Sequence, residues 1–557
     1  MKKLTIFVIG CLVALLLCGC AAETPAVPAD TNAPEPTAAP TEAPFSAAEA
    51  EIIESSHPRE EAYKSPFKTR MIDAPLVAVH LEAGDNYSDE ALRALTEKVV
   101  SDIQTISGFT GEAPRKITVY AVNRLLRDRA LLLGDHLICT VGDMESGAYR
   151  EALIGACYDI PIPWIQVGLV ENVFGSPSES GLQEYYSDEA HALAASCAAV
   201  YFIDGVADEE TVQAARQTAA SIVSFVLETR GFGALREMTS TEDALPAWAE
   251  RLGIEAPVLP EGSARAAVMT AYKDVSPGWV CVLQFDNITM NVKQGAFAQT
   301  PDELYEFACR FFIGADVVLA QIKEESPTLS EYAQERFRLP IVINIEEDKT
   351  NSSLSTAWGE TIDLRYQVAA WHELVHVLLW NEPLLWLHEA AAERFSYRAM
   401  SVALQVPYDE AEELEFLSSP ELSDEERNFF TLSYNIYLAE RGSYVPTDVI
   451  DYQAIRRSYA VSSLLLGYDP AGGRNSLAGV MGRKYDEKKT DPYALSYYEA
   501  ELMLDYLTDT YGAENVLPIL ITNEPLEEVC GKAYPELYQD LLAKLREEYG
   551  ELISDPE

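Results

Sequence analysis

The chain of 557 residues carries 41 lysines and arginines against 89 aspartates and glutamates, a net charge of −48 at neutral pH. That excess of negative charge opposes binding to nucleic acid or to an anionic bilayer surface, and reads as an acidic, solvated exterior. With only 7 histidines in the whole chain, three of them inside residues 371–397 form a cluster that asks for an explanation.

At the N-terminus Lys2 and Lys3 precede an apolar run from Leu4 to Leu17, which is short for a membrane span and predicts a secretory signal. The run ends in Leu17-Cys18-Gly19-Cys20, which resembles the bacterial lipobox. The resemblance implies a lipoprotein signal peptide over residues 1–20 and acylation of Cys20, so that a lipid anchor holds the mature chain at the outer face of a bacterial cell membrane. Residues 21–58 follow as a tether, rich in Ala, Pro, Thr and Glu through Pro44 and without apolar periodicity. The rest of the chain is long enough and apolar enough for at least two domains, placed at 59–250 and 251–557. Nothing later predicts a transmembrane helix. Cys139, Cys157, Cys197, Cys281, Cys309 and Cys530 are scattered without a CxxC pair, which excludes a thiolate zinc site and suits core residues.

In chain order, LVAVHL (76–81) predicts a strand, followed by a helix opened by Ser88-Asp89-Glu90 with Ser88 as N-cap. KITVYAVN (116–123) predicts a second strand. YREALIGACYDIPIPWIQVGLVENVF (149–174) and RQTAASIVSFVLETRGFGALREM (216–238) predict helices. The later half runs in a similar order: WVCVL (279–283), a helix opened by Thr300-Pro301-Asp302-Glu303, LPIVINIE (339–346), YQVAAWHELVHVLLWNEPLLWLHEAAAERF (366–395) and SYYEAELMLDYLTDTYGAENVLPIL (496–520). A stretch between about Met400 and Asp491, rich in tyrosine and acidic residues, is expected to wall a cleft.

The histidines sit in QVAAWHELVHVLLW (367–380), which has no helix breaker before Asn381-Glu382-Pro383 and predicts about four turns of helix after a short strand at GETIDLRY (359–366). This helix has hardly any polar face, so a buried His372, Glu373 and His376 need partners. Histidines four residues apart lie one turn apart on one face and can aim at one ion. Glu373, about 100° round the helix, can reach a water held by that ion. The pattern is HExxH, whose mechanical reading is a zinc site with a general base beside it. A third ligand is required. The spacing of metzincins is absent, because Leu379 and Glu382 stand where that class has Gly and His or Asp; Glu382 itself adjoins Pro383 at the helix end.

Trp386-Leu387-His388-Glu389-Ala390 resembles the WLxEG signature of gluzincins, the thermolysin and zinc-aminopeptidase group, and in particular the compact peptidase MA-like domains. The resemblance implies that Glu389 is the third ligand to Zn2+, that Glu393 one turn on hydrogen-bonds a zinc-bound histidine, and that Tyr497 on the closing helix supports the oxyanion. It implies an α+β, thermolysin-like catalytic domain with a small mixed sheet, its edge strand beside the active-site helix, and a helical lobe. The activity implied is zinc-dependent hydrolysis of peptide bonds in a peptide or protein substrate, with Glu373 as base. Ala390 departs from the family's glycine. His388 faces away from Glu389 and is expected to line the cleft or support a ligand. The rival reading is a surface binding or scaffold lipoprotein that retains a zinc site, against which Glu373 speaks, since metal binding alone does not need it.

The similar order of the two halves predicts an internal repeat, with Trp164 matching Trp386 and Gly231 matching Gly512. Val167 then stands at the third-ligand position and Glu171 at that of Glu393, with no histidine around Ala152 to Ala156. The first domain is expected to be a degenerate copy without metal ligands.

Overall fold

A computed structural model describes residues 45–553, apart from 57–67, 83–87, 124–129, 134–135, 188–190, 203–205, 273–277, 299, 347–354, 380–384, 444, 469–496 and 523. Cys20 and Glu382 lie outside the described residues. The chain forms two compact units, one built on Ala26–Lys273 with Thr300–Tyr305, the other on Asp274–Gln299 with Glu306–Glu557. The architecture is α+β.

In the N-terminal unit β1 (Ile53–Ser56), β2 (Lys68–Asp73), β3 (Val77–Glu82), β4 (Ile117–Val122), β5 (Leu131–Leu133) and β6 (His136–Thr140) form one mixed sheet in the order β1-β2-β3-β4-β6-β5. The first sheet thus reaches back to Ile53, into the stretch read as tether. Strands β2 and β3 are an antiparallel pair joined by a tight turn in which Ala74 N–H donates to Val77 O. Helix α1 (Asp89–Thr110) then crosses over, and β4 and β6 join parallel to β3, with β5 folding back antiparallel on β6. The cap on α1 is as the sequence predicts: Ser88 accepts from Ala91 N–H, and Asp89 and Glu90 face the positive end of the helix dipole. After the sheet come α2 (Arg150–Tyr158), α3 (Pro163–Phe174) and α4 (Glu209–Arg230).

The C-terminal unit repeats this wiring. Strands β7 (Trp279–Gln284) and β8 (Ile288–Lys293) are antiparallel, joined by a turn in which Phe285 N–H donates to Ile288 O. After α5 (Pro301–Glu325), β9 (Ile341–Ile345) joins parallel to β8 and β11 (Thr361–Leu364) parallel to β9, with β10 (Thr356–Trp358) antiparallel on the edge of β11. Thr300 and Glu303 close a reciprocal cap at the start of α5. Next come α6 (Ala370–Leu378), α7 (Leu385–Leu404), α8 (Asp424–Glu440), α9 (Tyr452–Leu466) and α10 (Tyr497–Tyr511).

Two expectations need adjustment. WVCVL is not the strand that precedes the crossover helix; ITMNVK is, because the second unit has an antiparallel pair in which both strands carry apolar residues and the sequence pattern alone does not tell which one feeds the helix. The helix that carries His372 and His376 is also shorter than predicted, running as α helix only from Ala370 to Leu378, with a 3-10 turn at Gln367–Ala369 before it.

Among the described residues no single helix is long and apolar enough to cross a membrane. The six cysteines named above are free and buried.

Candidate metal centre

Helix α6 is fixed by its apolar face: Trp371, Leu374, Val375, Val377 and Leu378 are all buried. Trp371 anchors it against α5, where its indole N–H donates to Phe311 O at 3.2 Å. The ring lies over Gly314, where any Cβ would collide with it. Helix α7 packs on α6, and its Ala390, Ala391 and Ala392 are all buried. Small side chains let the two backbones approach closely, and that approach brings Glu389 to the histidines.

The three side chains meet at one point. His372 Nε2 and His376 Nε2 are 3.2 Å apart, and Glu389 Oε2 lies 3.3 Å from the first and 3.4 Å from the second. Among the described residues these three are the group of ligand-type side chains that could hold an ion. Three such atoms this close, with Glu389 buried, repel one another unless an imidazole proton or a metal cation sits among them.

The electrostatics follow from that crowding. Burial works against the charge on His372, but the carboxylates of Glu389, Glu393 and Glu373 outweigh it and raise its pKa to about 9. Burial likewise opposes ionisation of Glu389, yet the imidazoles of His376 and His372 hold its carboxyl well below the usual range. Glu373 is buried beside the cluster, and burial raises its pKa above the ordinary glutamate value against the pull of His372 and His376. A raised carboxylate pKa suits a group that takes and returns a proton near neutral pH.

Behind His372 stands a second layer. Its Nδ1 faces Glu393 Oε1 at 3.5 Å, and Glu393 Oε2 is 2.9 Å from Arg456 Nε on α9. The same guanidinium nitrogen is 3.7 Å from Glu501 on α10. The Tyr397 ring, one turn beyond Glu393, lies beside the same guanidinium, 5.7 Å from its centre. His388 is buried with its Nε2 unpartnered among the described side chains; burial first, then His376, lowers its pKa to about 4, so it is neutral at pH 7. Tyr497 opens α10, and its side chain lies outside the described residues.

Arg456 carries no signal in the sequence. It comes from the stretch after Met400 that was expected to wall a cleft, and α8 and α9 of that stretch pack together, with α9 also against α7 and α10. Arg457, its neighbour, reaches Asp505 at 2.5 Å and Glu440 at 3.3 Å. That stretch therefore supplies cations to the carboxylates of α7 and α10. No protein-family model, curated protein or solved structure matches the chain.

Proposed function

We propose that the protein is a zinc-dependent peptidase of gluzincin type, a thermolysin-like catalytic domain preceded by a metal-free copy of itself, anchored through Cys20 at the outer face of a bacterial membrane. One observation carries the reading. A tetrahedral zinc ion with bonds of about 2.0–2.1 Å has ligand atoms about 3.3–3.4 Å apart. The triangle of His372 Nε2, His376 Nε2 and Glu389 Oε2 has sides of 3.2, 3.3 and 3.4 Å, so these atoms fit one face of that tetrahedron and leave its fourth corner open.

When bound, zinc supplies Lewis acidity to the scissile carbonyl and to the attacking water. Glu373 takes the proton from that water and returns it to the leaving amine. Glu393, held by Arg456, accepts from His372 Nδ1–H, which fixes the tautomer that presents a bare Nε2 to the ion. Tyr497 is assigned to the oxyanion from the sequence resemblance alone.

Metal analysis of the purified protein, followed by digestion of a peptide library, tests the proposal. One zinc ion per chain and metal-dependent cleavage are expected. A chain that holds zinc and cleaves nothing across the library is instead a binding or scaffold lipoprotein, the reading that the raised pKa and burial of Glu373 disfavour.

A further inference from the structure

The two units can be aligned residue by residue on their geometry. Helices α3 and α7 start at Pro163 and Leu385, an offset of 222 residues, whereas α2 and α6 start at Arg150 and Ala370, an offset of 220, so helix bounds alone leave the register of α2 on α6 two residues open and a contact has to decide it. The offset of 222, with no gap, lays Arg150-Glu151-Ala152-Leu153-Ile154 of α2 on His372-Glu373-Leu374-Val375-His376 of α6. Trp164 falls on Trp386, Gly168 on Ala390 and Glu171 on Glu393. An independent contact agrees with the register: Tyr149, which falls on Trp371, donates its hydroxyl to Asp102 of α1 at 2.6 Å, and Asp102 lies as far after the Ser88 cap as Gly314 lies after Thr300. Glu151 thus occupies the position of the proposed base, while all three ligand positions have changed, to Arg150, Ile154 and Val167.

Two carboxylates, Glu151 and Glu171, remain around that position without a metal ligand set. What faces them is Arg216 of α4. Its Nε donates to Glu171 Oε1 at 2.9 Å, its Nη2 lies 2.8 Å from the same oxygen and donates to Glu151 Oε1 at 3.3 Å, and its Nη1 donates to Val200 O at 3.3 Å. Aligning Gly231 with Gly512, both of which follow their helices at positive φ of 79° and 89°, lays Arg216 on Tyr497. Arg150, in the place of the first histidine, points elsewhere and makes a forked pair with Asp102 at 3.0 and 3.1 Å.

We infer that the N-terminal unit is a former metal site in which the Arg216 guanidinium has taken over the charge-balancing role of the ion, locking Glu151 and Glu171 as a permanent ion-pair site that takes no divalent cation. A covalently attached cation balances the half-buried carboxylates at any metal concentration, so the unit keeps its fold where zinc is scarce. The planar fork of arginine serves two carboxylates and a carbonyl at once, which lysine, a point charge, would not. The inference rests on the gluzincin reading only in calling the ancestral site a metal site; the lock itself rests on the contacts of Arg216.

Two experiments on the full chain test it. In the first, Arg216→Met is compared with the charge-free variant Glu151→Gln/Glu171→Gln/Arg216→Met by chemical denaturation followed by hydrogen exchange in the N-terminal helices. Arg216→Met should lower the midpoint and the protection of α2 and α3, because it strands two carboxylates. The charge-free variant should recover most of the loss. An Arg216→Met midpoint equal to the parent's, or a charge-free variant no better than Arg216→Met, overturns the lock. In the second, Arg150→His/Ile154→His/Val167→Glu/Arg216→Tyr is titrated with zinc. The stoichiometry should rise by one ion per chain relative to the parent, whichever value the parent shows. A folded variant with the parent's stoichiometry overturns the ancestral metal site and leaves the His372 centre unaffected. If that variant does not fold, the first experiment decides, because its substitutions leave buried Ile154 and Val167 and the Arg150–Asp102 pair intact.

Discussion

Arg456 Nε stands 2.9 Å from Glu393 Oε2 while the other oxygen of that carboxylate faces His372 Nδ1 at 3.5 Å, so a cation from α9 is linked to His372 through one glutamate. The link sets both the charge on Glu393 and its aim. Arg456→Met should therefore weaken zinc binding by about 10–100-fold, the usual range for losing support behind a histidine ligand. Arg456→Lys, which keeps the charge but not the planar fork, should fall between the two. Competition against a chromophoric chelator measures it, and equal affinities in parent and Arg456→Met would remove Arg456 from the centre.

Gly314 and Trp371 give a second expectation, in which sign matters more than size. In an open helix interior, alanine is better than glycine by about 1 kcal/mol. Here a Cβ at 314 would collide with the indole of Trp371, and overpacking a filled core typically costs about 1–3 kcal/mol. Because Trp371 precedes His372, a displaced ring moves the first ligand. Gly314→Ala should lower both the thermal midpoint and zinc affinity, and adding Trp371→Leu should return part of the affinity. A Gly314→Ala variant more stable than the parent would show that the two helices do not meet as closely as the structure places them.

The thiols test the packing of both units. Burial raises the Cys157 thiol to about 12 and Cys281 to about 11. With folded values above the unfolded one, the native state keeps its protons as pH rises, and these groups begin to favour unfolding only above about pH 9, up to the folded values. At pH 8 Cys139, Cys157, Cys197 and Cys309 should resist iodoacetamide in the native protein and react once it is denatured, as read by peptide mapping. Rapid native labelling of any of the four would contradict its burial.

Local pattern made the helix with its two histidines legible, since both depend on residues within one or two turns. The approach of Glu389 also lay close to the surface of the sequence, because only a short connection separates the two helices. Arg456 was not legible: nothing local marks an arginine that pairs with a glutamate 63 residues earlier across a helix interface. The pairing of REALI with HELVH stayed hidden for a different reason. A search for histidines in the first unit discards the one residue the two pentads share in a chemical role, Glu151, and the connections between the helix pairs differ in length, so only the contacts of Tyr149 and Trp371 with the preceding helix fix the register. Strand order misled similarly in the second unit, since WVCVLQ and ITMNVK both carry apolar residues and only their hydrogen bonds tell which one feeds the crossover helix.

Glu389 and Glu373 separate metal binding from chemistry. The oxygen of Glu389 lies 3.3 and 3.4 Å from the two imidazole nitrogens and in the proposed centre donates to the ion, so Glu389→Ala should release zinc and abolish cleavage together. Glu373 is buried beside the cluster but outside the ligand triangle, with a pKa that burial raises. Glu373→Gln keeps the side-chain volume and removes the proton acceptor, so zinc should stay bound while cleavage falls by about 10²–10⁴-fold, the usual contribution of a general base. Measured on the same preparation, the two variants should part: no metal and no activity for the first, full metal and little activity for the second. Parent-like cleavage by Glu373→Gln would remove the base from the mechanism, and full zinc retention by Glu389→Ala would move the third ligand elsewhere.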